Sequence, residues 1–187
     1  MSRGLGDVYK RQVNNLLLDT FMKLRPCEPE DLNLLYTIEN DPQMWDTSNA
    51  EGLYSRYALK QYIASAASIY ECGEMRLVIE ESESGKSVAV GIIDITNFSA
   101  LHARAEVGIA LLKEYRGRGL ATQALQKLEQ YAVERLHIHL LYAHVVSDNI
   151  ASSKLFQKNG YNIVSKLPNW HFDKAKYVDV NIFAKFF

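Results

Sequence analysis

The stretch that most constrains the fold is residues 106–124, where an apolar run meets a helical pattern through a turn rich in glycine and arginine. Residues 106–112 are apolar enough for a buried strand, and the leucine and alanine spacing after Gly119 is typical of a helix. The first N–H groups of a helix lack intrahelical partners, and the peptide dipoles leave partial positive charge there. We therefore predict an anion site, suited to phosphate, at this junction.

The residues of the turn narrow the choice of phosphate ligand. Gly117 and Gly119 let the backbone approach an anion closely, while Arg116 and Arg118 add positive charge. A nucleoside triphosphate loop would need lysine and then serine or threonine after the second glycine, where this chain has leucine and alanine. The dinucleotide fingerprint would need a third glycine, where the chain has Thr122. Neither pattern is met.

Two motifs resemble those of the GCN5-related N-acetyltransferase (GNAT) family. The first, Q/R-x-x-G-x-G/A, is filled by Arg116, Gly119 and Ala121. The second, N-x-x-S/A-x-x-L-Y/F-x-K-x-G-F/Y, is matched by Asn149, Ser152, Leu155, Phe156, Lys158, Gly160 and Tyr161. They occur in the family's order, and the resemblance extends from about residue 22 to residue 187.

This resemblance implies a fold and a co-substrate. The fold is a mixed α/β sheet with helices on both faces, in which two central parallel strands splay apart and admit the pantetheine arm of acetyl-CoA. The implied contacts to acetyl-CoA are the backbone of Ile109 and Leu111, the turn residues Arg116, Gly117, Arg118, Gly119, Leu120 and Ala121, and the downstream Asn149 and Phe156.

The resemblance also suggests catalytic groups. Acetyl transfer to an amine needs a base for the amine proton and an acid for the departing thiolate. Glu106 stands where the family often has an acidic residue, and we expect it to be the base; the alternatives are an ion pair with Arg104 and a side chain that simply faces solvent. Phe156 replaces a tyrosine that protonates the thiolate in many members, so we expect Tyr161, then Tyr115, or solvent, to supply that proton.

Asn149 allows two roles. The resemblance makes it a contact to the pantetheine arm, whereas its position before residues 150–159 also suits a helix cap. Both roles can coexist in one residue.

The remaining elements are predicted from periodicity and turn residues. We expect helices near residues 30–39, 55–67, 119–136 and 150–159, and strands near residues 23–25, 75–81, 88–98, 106–112, 140–146, 161–167 and 177–183, with a bulge at Gly91. Residues 41–54 are expected to be an irregular loop that walls the acceptor side of the cleft.

The identity of the acceptor is the least constrained feature. The run HARAEVGIALLKEYRGRGLATQAL resembles the spermidine acetyltransferase branch, which places the acceptor near the loop of His102. Acidic residues favour a polyamine: Glu39, Asp41, Asp46 and Glu51, with Trp45 and Tyr54 nearby. The alternatives are the N-terminal amine of a ribosomal protein and a CoA-binding module without turnover.

Composition excludes several other classes. The 187 residues are 48% hydrophobic, enough for one domain, which we assign to residues 22–187 after an N-terminal extension, residues 1–21, in part a cloning or assembly remnant. A net charge of −1 argues against a nucleic-acid partner, and no apolar run is long enough to cross a membrane.

The cysteines and histidines give further indications. Cys27 and Cys72 are isolated in the sequence and suggest a reduced, cytoplasmic protein. The histidines give no set of metal ligands in register, and homo-oligomerisation is left open.

Overall fold

The computed structural model describes residues 21–45, 53–65, 68–83, 86–173 and 175–187. The predictions for residues 1–20, Asp46, Glu51 and the side chain of Trp45 lie outside the described residues.

The strands and the four longer helices follow the order that the patterns predicted. The helices are α1 (Leu32–Glu39, after a 3-10 turn at Pro29–Asp31), α2 (Pro42–Trp45), α3 (Arg56–Ala64), α4 (Ile69–Cys72), α5 (Leu120–Leu136) and α6 (Ile150–Lys158). The strands are β1 (Met22–Pro26), β2 (Met75–Glu83), β3 (Lys86–Ser99), β4 (Arg104–Leu111), β5 (Leu140–Val146), β6 (Asn162–Asp173) and β7 (Lys176–Phe186).

The strands form one mixed sheet in the order β1-β2-β3-β4-β5-β7-β6. β4 and β5 pair in parallel, whereas the other neighbouring strands of the described chain pair antiparallel. The parallel register holds only from Arg104↔Leu140 to Glu106↔Tyr142. The predicted mixed sheet with splayed central strands is therefore confirmed.

Helices cover both faces of the sheet. On one face, α5 buries its apolar stripe, including Leu125, Leu128 and Ala132, in the main core. On the other face, α1 and α3 pack their buried leucines and isoleucines on Val78 and Ile92 of β2 and β3. This second layer covers β2 and β3 and reaches Ala110 of β4.

Gly91 lies at a bulge, as predicted. Ile79 pairs with Gly91, but the next residue of β2, Glu80, pairs with Ala89, so Val90 is the extra residue. A Cβ at Gly91 would lie 2.4 Å from the carbonyl oxygen of Ala110 on β4, so the position requires glycine. Glycine at the bulge lets β3 approach β4, the central strand of the sheet, closely.

Three elements differ from the pattern-based prediction. Pro42–Trp45 forms the short helix α2, where an irregular loop over residues 41–54 was expected. The β6–β7 hairpin is longer, reaching Asp173 and Phe186, because cross-strand pairing continues through exposed residues that lack clear alternation. The short helix α4 was missed; Ser68 and Glu71 cap it reciprocally, and Gly73 ends it with a φ of 74°. No helix in the described part of the chain has the length and apolar character that a membrane span requires.

Candidate active site

A gap opens between β4 and β5 beyond Glu106. After the Glu106↔Tyr142 pair, β4 stays paired with β3 as far as Leu111, while β5 stays paired with β7 as far as Val146. The C-terminal halves of the two parallel strands therefore follow different neighbours. A flexible chain with hydrogen-bonding groups can enter between them.

The backbone of β4 presents hydrogen-bonding groups to this gap. The N–H of Leu112, directly after β4, donates to the carbonyl oxygen of Val90 on β3 at 2.9 Å. Because successive residues of a strand direct their backbone groups to alternate sides, Ile109 and Leu111 are directed toward the gap. The carbonyl oxygen of Leu111 accepts a hydrogen bond from Arg116 Nε at 3.0 Å, as this orientation requires.

The turn after β4 has the geometry of an anion cradle. Gly117 and Gly119 have φ angles of 76° and 80°, which side chains with a Cβ rarely adopt. Within the described ranges, no heavy atom outside the adjacent residues lies within 4 Å of a Cβ built at either glycine, so this side of the turn is open to a ligand. Gly119 precedes the first turn of α5 and contributes no capping side chain, while Leu120 is buried and anchors the helix. The residues fit the phosphates of acetyl-CoA.

The two arginines of the turn are held by neighbours. Arg116 contacts Met44 Sδ through Nη2 at 3.0 Å, which joins the turn to α2. Arg118 Nη2 lies 3.1 Å from a carboxylate oxygen of Glu81, and its guanidinium stacks 5.3 Å from the ring centre of Tyr115. Both arginines remain exposed, so an anion can recruit either one.

Glu106 lies where the two parallel strands begin to separate. Its Oε1 is 2.7 Å from Nδ1 of His144, and its Oε2 accepts a hydrogen bond from Asn97 Nδ2 at 2.9 Å. The side chain is only 14% exposed. The alternative partner considered from the sequence, Arg104, forms no ion pair with Glu106 within the described residues. The Glu106 carboxylate is therefore oriented by contacts to both of its oxygens, at the base of the gap.

His144 was not singled out by the sequence, although strand periodicity could have indicated it. Tyr142 pairs with Glu106, and His144 lies two residues further along β5, so both side chains share one face. The Tyr142 and His144 rings meet edge to face at 5.7 Å. Burial, followed by the charge of Glu106, raises the pKa of Tyr142. A compact polar cluster thus occupies the floor of the gap.

Asn149 caps α6. Its Oδ1 accepts a hydrogen bond from the N–H of Ser152 at 3.0 Å, and its own N–H donates to the carbonyl oxygen of Val146 at 2.8 Å. The capping role anticipated from the sequence is therefore present. The contact to the pantetheine arm stays a prediction.

Phe156 and Tyr161 lie in the core. Phe156 is 3% exposed and packs against the rings of Tyr161 and Phe183 at 5.1 and 6.0 Å. Tyr161 is 2% exposed; burial and then Glu129 of α5 raise its pKa well above the ordinary value. The hydroxyl therefore faces a carboxylate under α5, which argues against Tyr161 as the proton donor. The half-buried Tyr115, beside the turn, becomes the first candidate.

The acidic residues expected on the acceptor side are in part engaged elsewhere. Glu39 pairs with Arg76 Nη1 at 2.6 Å, and Asp41 accepts a hydrogen bond from the N–H of Gln43. Asn40 exchanges two hydrogen bonds with the backbone of Tyr54, at 2.8 and 3.0 Å. These bonds join the two ends of the segment that was expected to wall the acceptor side of the cleft. This clamp was not predicted.

His102 lies in the exposed connection between β3 and β4, and its N–H approaches Ser99 Oγ at 3.3 Å. Its side chain is not brought to Glu106 by any contact that the described residues show. Its proximity to an acceptor stays a prediction.

Two curated relatives indicate the enzyme class. The chain is 27% identical over 159 residues to spermidine N(1)-acetyltransferase of Escherichia coli, covering 83% of this chain and 81% of the relative. It is 26% identical over 112 residues to the ribosomal-protein-serine acetyltransferase of the same species, covering 60% of each.

Solved structures share the fold. Spermidine N-acetyltransferase from Vibrio cholerae, solved with CoA and spermine, superposes with a TM-score of 0.82 at 22% identity, covering 90% of this chain and 96% of that one. A dodecameric structure of spermidine N-acetyltransferase from Vibrio cholerae gives 0.75 at 23% identity, covering 90% and 95%.

The family assignment follows from the sequence match and the splayed sheet together. Residues 22–162 match the acetyltransferase (GNAT) domain family. The open glycine turn before α5 and the gap between β4 and β5 are the features with which acetyl-CoA is expected to be held. The chain belongs to the GNAT family of N-acetyltransferases, which use acetyl-CoA as the acetyl donor.

Proposed function

We propose that this enzyme acetylates a primary amine of a polyamine such as spermidine. The observation that carries the proposal is the position of Glu106, a largely buried carboxylate at the closed end of the gap between β4 and β5. Support for the polyamine comes from the similarity to spermidine acetyltransferases over more than four fifths of the chain. The engagement of Glu39 with Arg76 means that this carboxylate is not available on its own to attract a polycation.

Glu106 fits the role of base. A primary amine has a reference pKa of about 10.4 and arrives protonated at neutral pH, so it must lose a proton before it can attack. Glu106 accepts that proton, directly or through one water. Bound acetyl-CoA supplies the thioester; the new C–N bond forms as the C–S bond breaks, and the thiolate takes up a proton.

The other groups of the gap orient the reactants. The N–H groups of Ile109 and Leu111 are directed toward the gap, where they can bind the pantetheine arm or the developing oxyanion. Tyr115 or solvent provides the proton for the thiolate. Because a free thiol has a reference pKa of about 8.5, protonation by solvent is adequate at neutral pH. The backbone of residues 117–121 and the two turn arginines bind the phosphates.

Release of free thiol from acetyl-CoA tests the proposal. The acceptor panel contains spermidine, spermine, a monoamine and a peptide with a free N-terminus and no lysine. We expect turnover with spermidine to exceed turnover with the peptide by at least about tenfold. Release with the peptide alone would favour the second candidate, an N-terminal protein acetyltransferase, which the ribosomal-protein-serine relative supports.

A CoA-binding module without turnover is distinguished by calorimetry. The unchanged protein should bind CoA and also release thiol when amine is present. Binding of CoA without release for every amine would favour the module.

The β6–β7 hairpin is our candidate surface for self-association. It exposes large apolar side chains on an edge of the sheet: Ile163 at 50%, Trp170 at 64%, Phe172 at 61% and Tyr177 at 64%. A spermidine acetyltransferase with the same fold is dodecameric. Light scattering after gel filtration should show an oligomer that Trp170→Ser makes smaller; a monomer in both proteins would contradict this.

We also propose that the enzyme acts in the cytoplasm. Cys27 and Cys72 lie far apart in the sequence and belong to no CxxC or Cys/His cluster, as is usual for a protein of a reducing compartment.

A further inference from the structure

We propose that His144 is a positioning residue for Glu106 and that it acts by donating its Nδ1–H to the carboxylate. The inference rests on the proposed function, in which Glu106 is the base. It concerns a histidine that neither motif of the sequence contains and that lies on the opposite strand of the gap.

The contact fixes the tautomer. An ionised carboxylate can only accept hydrogen bonds, so the proton shared between Nδ1 of His144 and Oε1 of Glu106, 2.7 Å apart, comes from the imidazole. The other oxygen of Glu106 accepts from the amide of Asn97 at 2.9 Å. Glu106 therefore has one donor on each oxygen, which restricts rotation of the carboxylate and leaves its remaining lone pairs for a substrate or a water.

The contact between Glu106 and His144 lies where the pairing of β4 with β5 ends. The backbone ladder between β4 and β5 ends at Glu106↔Tyr142, and His144 is the next residue of β5 on the same face. The bridge between the two side chains thus spans the strands at the point where backbone pairing stops. It links the base to β5, the strand that bounds the opposite side of the gap.

The ring of His144 is itself oriented. Tyr142 meets it edge to face at 5.7 Å, and the His144 side chain is 26% exposed. A half-buried imidazole held by a neighbouring ring loses little freedom when it donates to Glu106. The cluster is therefore organised before an amine arrives, which is the condition for a positioning role.

Two substitutions separate hydrogen-bond donation by His144 from the packing of its ring. His144→Phe keeps a flat ring beside Tyr142 and removes the donor. His144→Asn keeps an N–H donor close to the Nδ1 position and removes the imidazole. His139→Asn is the matched control, since Nδ1 of His139 also makes a hydrogen bond, to the carbonyl oxygen of Phe187 at 2.9 Å, on an exposed site away from the gap.

We expect His144→Phe to lower kcat at least about tenfold with acetyl-CoA KM unchanged, because a base that has lost its orientation affects the chemical step. His144→Asn should recover kcat to within about threefold of the unchanged enzyme, and His139→Asn should have no effect. An unchanged kcat in His144→Phe, or equal losses in His144→Phe and His144→Asn, would overturn the proposal. If the phenyl ring prevents folding, His144→Leu takes its place in the comparison.

A second measurement does not depend on turnover. In the unchanged protein, the ¹⁵N resonances of the His144 imidazole should show a proton on Nδ1, and Glu106→Ala should remove that preference. The same spectrum in both proteins would overturn the inference even if the enzyme is active. An enzyme that shows the preference yet turns over no amine would instead refute the proposed function.

Discussion

Phe156 stands where many family members carry the tyrosine that protonates the thiolate. Its ring packs between Tyr161 and Phe183, and it is almost completely buried. A hydroxyl added at this position needs a partner, and a buried hydroxyl without one lowers stability by about 1–3 kcal/mol. Restoring the tyrosine is therefore a test of proton delivery and of packing at once.

We predict that Phe156→Tyr leaves the turnover number within about twofold of the unchanged enzyme, because in the proposed mechanism solvent or Tyr115 already protonates the thiolate. Initial rates of thiol release across pH, together with the melting temperature, check this. Tyr161→Phe is the companion variant and should also keep its turnover, since the Tyr161 hydroxyl faces Glu129. A raised turnover in Phe156→Tyr would show that thiolate protonation limits the natural enzyme.

Asn149 is predicted to contribute both to stability and to binding of the co-substrate. Asn149→Ala removes the acceptor of the Ser152 N–H, so the free energy of unfolding should fall by about 1 kcal/mol. Ser55→Ala is a matched control, because Ser55 caps α3 in the same way through the N–H of Ala58. If Asn149 also contacts the pantetheine arm, only Asn149→Ala raises the KM for acetyl-CoA. Equal KM values in the two variants would leave Asn149 a cap alone.

At the scale of elements, the turn between β4 and α5 combines a left-handed backbone with open space. The φ of Gly119 is 80°, and no atom of the residues that the structure describes lies within 4 Å of the position of its missing Cβ. We predict that Gly119→Val weakens CoA binding at least about tenfold, because a branched side chain both strains this conformation and screens the first N–H groups of α5. Isothermal titration with CoA measures the affinity.

Gly160 provides the matched control for that strain. Its φ is 86° and its missing Cβ would lie 3.9 Å from the side chain of Lys185, but it follows α6 and lies in no part of the turn. Gly160→Val should therefore lose stability as Gly119→Val does and keep its affinity for CoA. Equal affinities in the two folded variants would remove the acetyl-CoA assignment of the turn.

The same elements show what the sequence could predict. The strand, turn and helix of residues 104–136 were visible because apolar periodicity, paired glycines and a motif coincide in one local stretch. The contact of Glu106 with His144 was not visible, since 38 residues separate them and only the register of two parallel strands brings them together. The orientation of the Tyr161 hydroxyl toward Glu129 was not visible for a related reason: packing against α5 sets it, and no local pattern encodes that packing.

At the scale of the whole molecule, the edge of the sheet next to the N-terminal region is held by a small network of charges. Glu80 of β2 is 6% exposed and pairs with Lys23 of β1 at 2.6 Å and with Arg25. Arg25 also binds Asp31 through two hydrogen bonds of 2.6 and 2.8 Å, which joins β1 to the turn before α1. The network therefore connects β1, β2 and the first helix of the second layer.

This network predicts how stability depends on acid. Burial alone would raise the pKa of Glu80, but hydrogen bonds from Arg25, Lys23 and Ser87 outweigh it and lower the pKa from 4.5 to about 2. Because the folded protein favours the ionised form, this contribution is complete above about pH 4.5 and is lost as the pH falls toward 2. We predict that Glu80→Gln lowers the free energy of unfolding at pH 7 by about 1–3 kcal/mol and flattens its decline between about pH 5 and 2. Urea titrations across this range measure both effects.

The matched control removes an ion pair on the surface. Asp148→Asn, which removes the exposed pair with Lys176 at 3.3 Å, should change the free energy of unfolding by less than about 1 kcal/mol. An acid profile of Glu80→Gln parallel to that of the unchanged protein would show that other carboxylates govern acid unfolding.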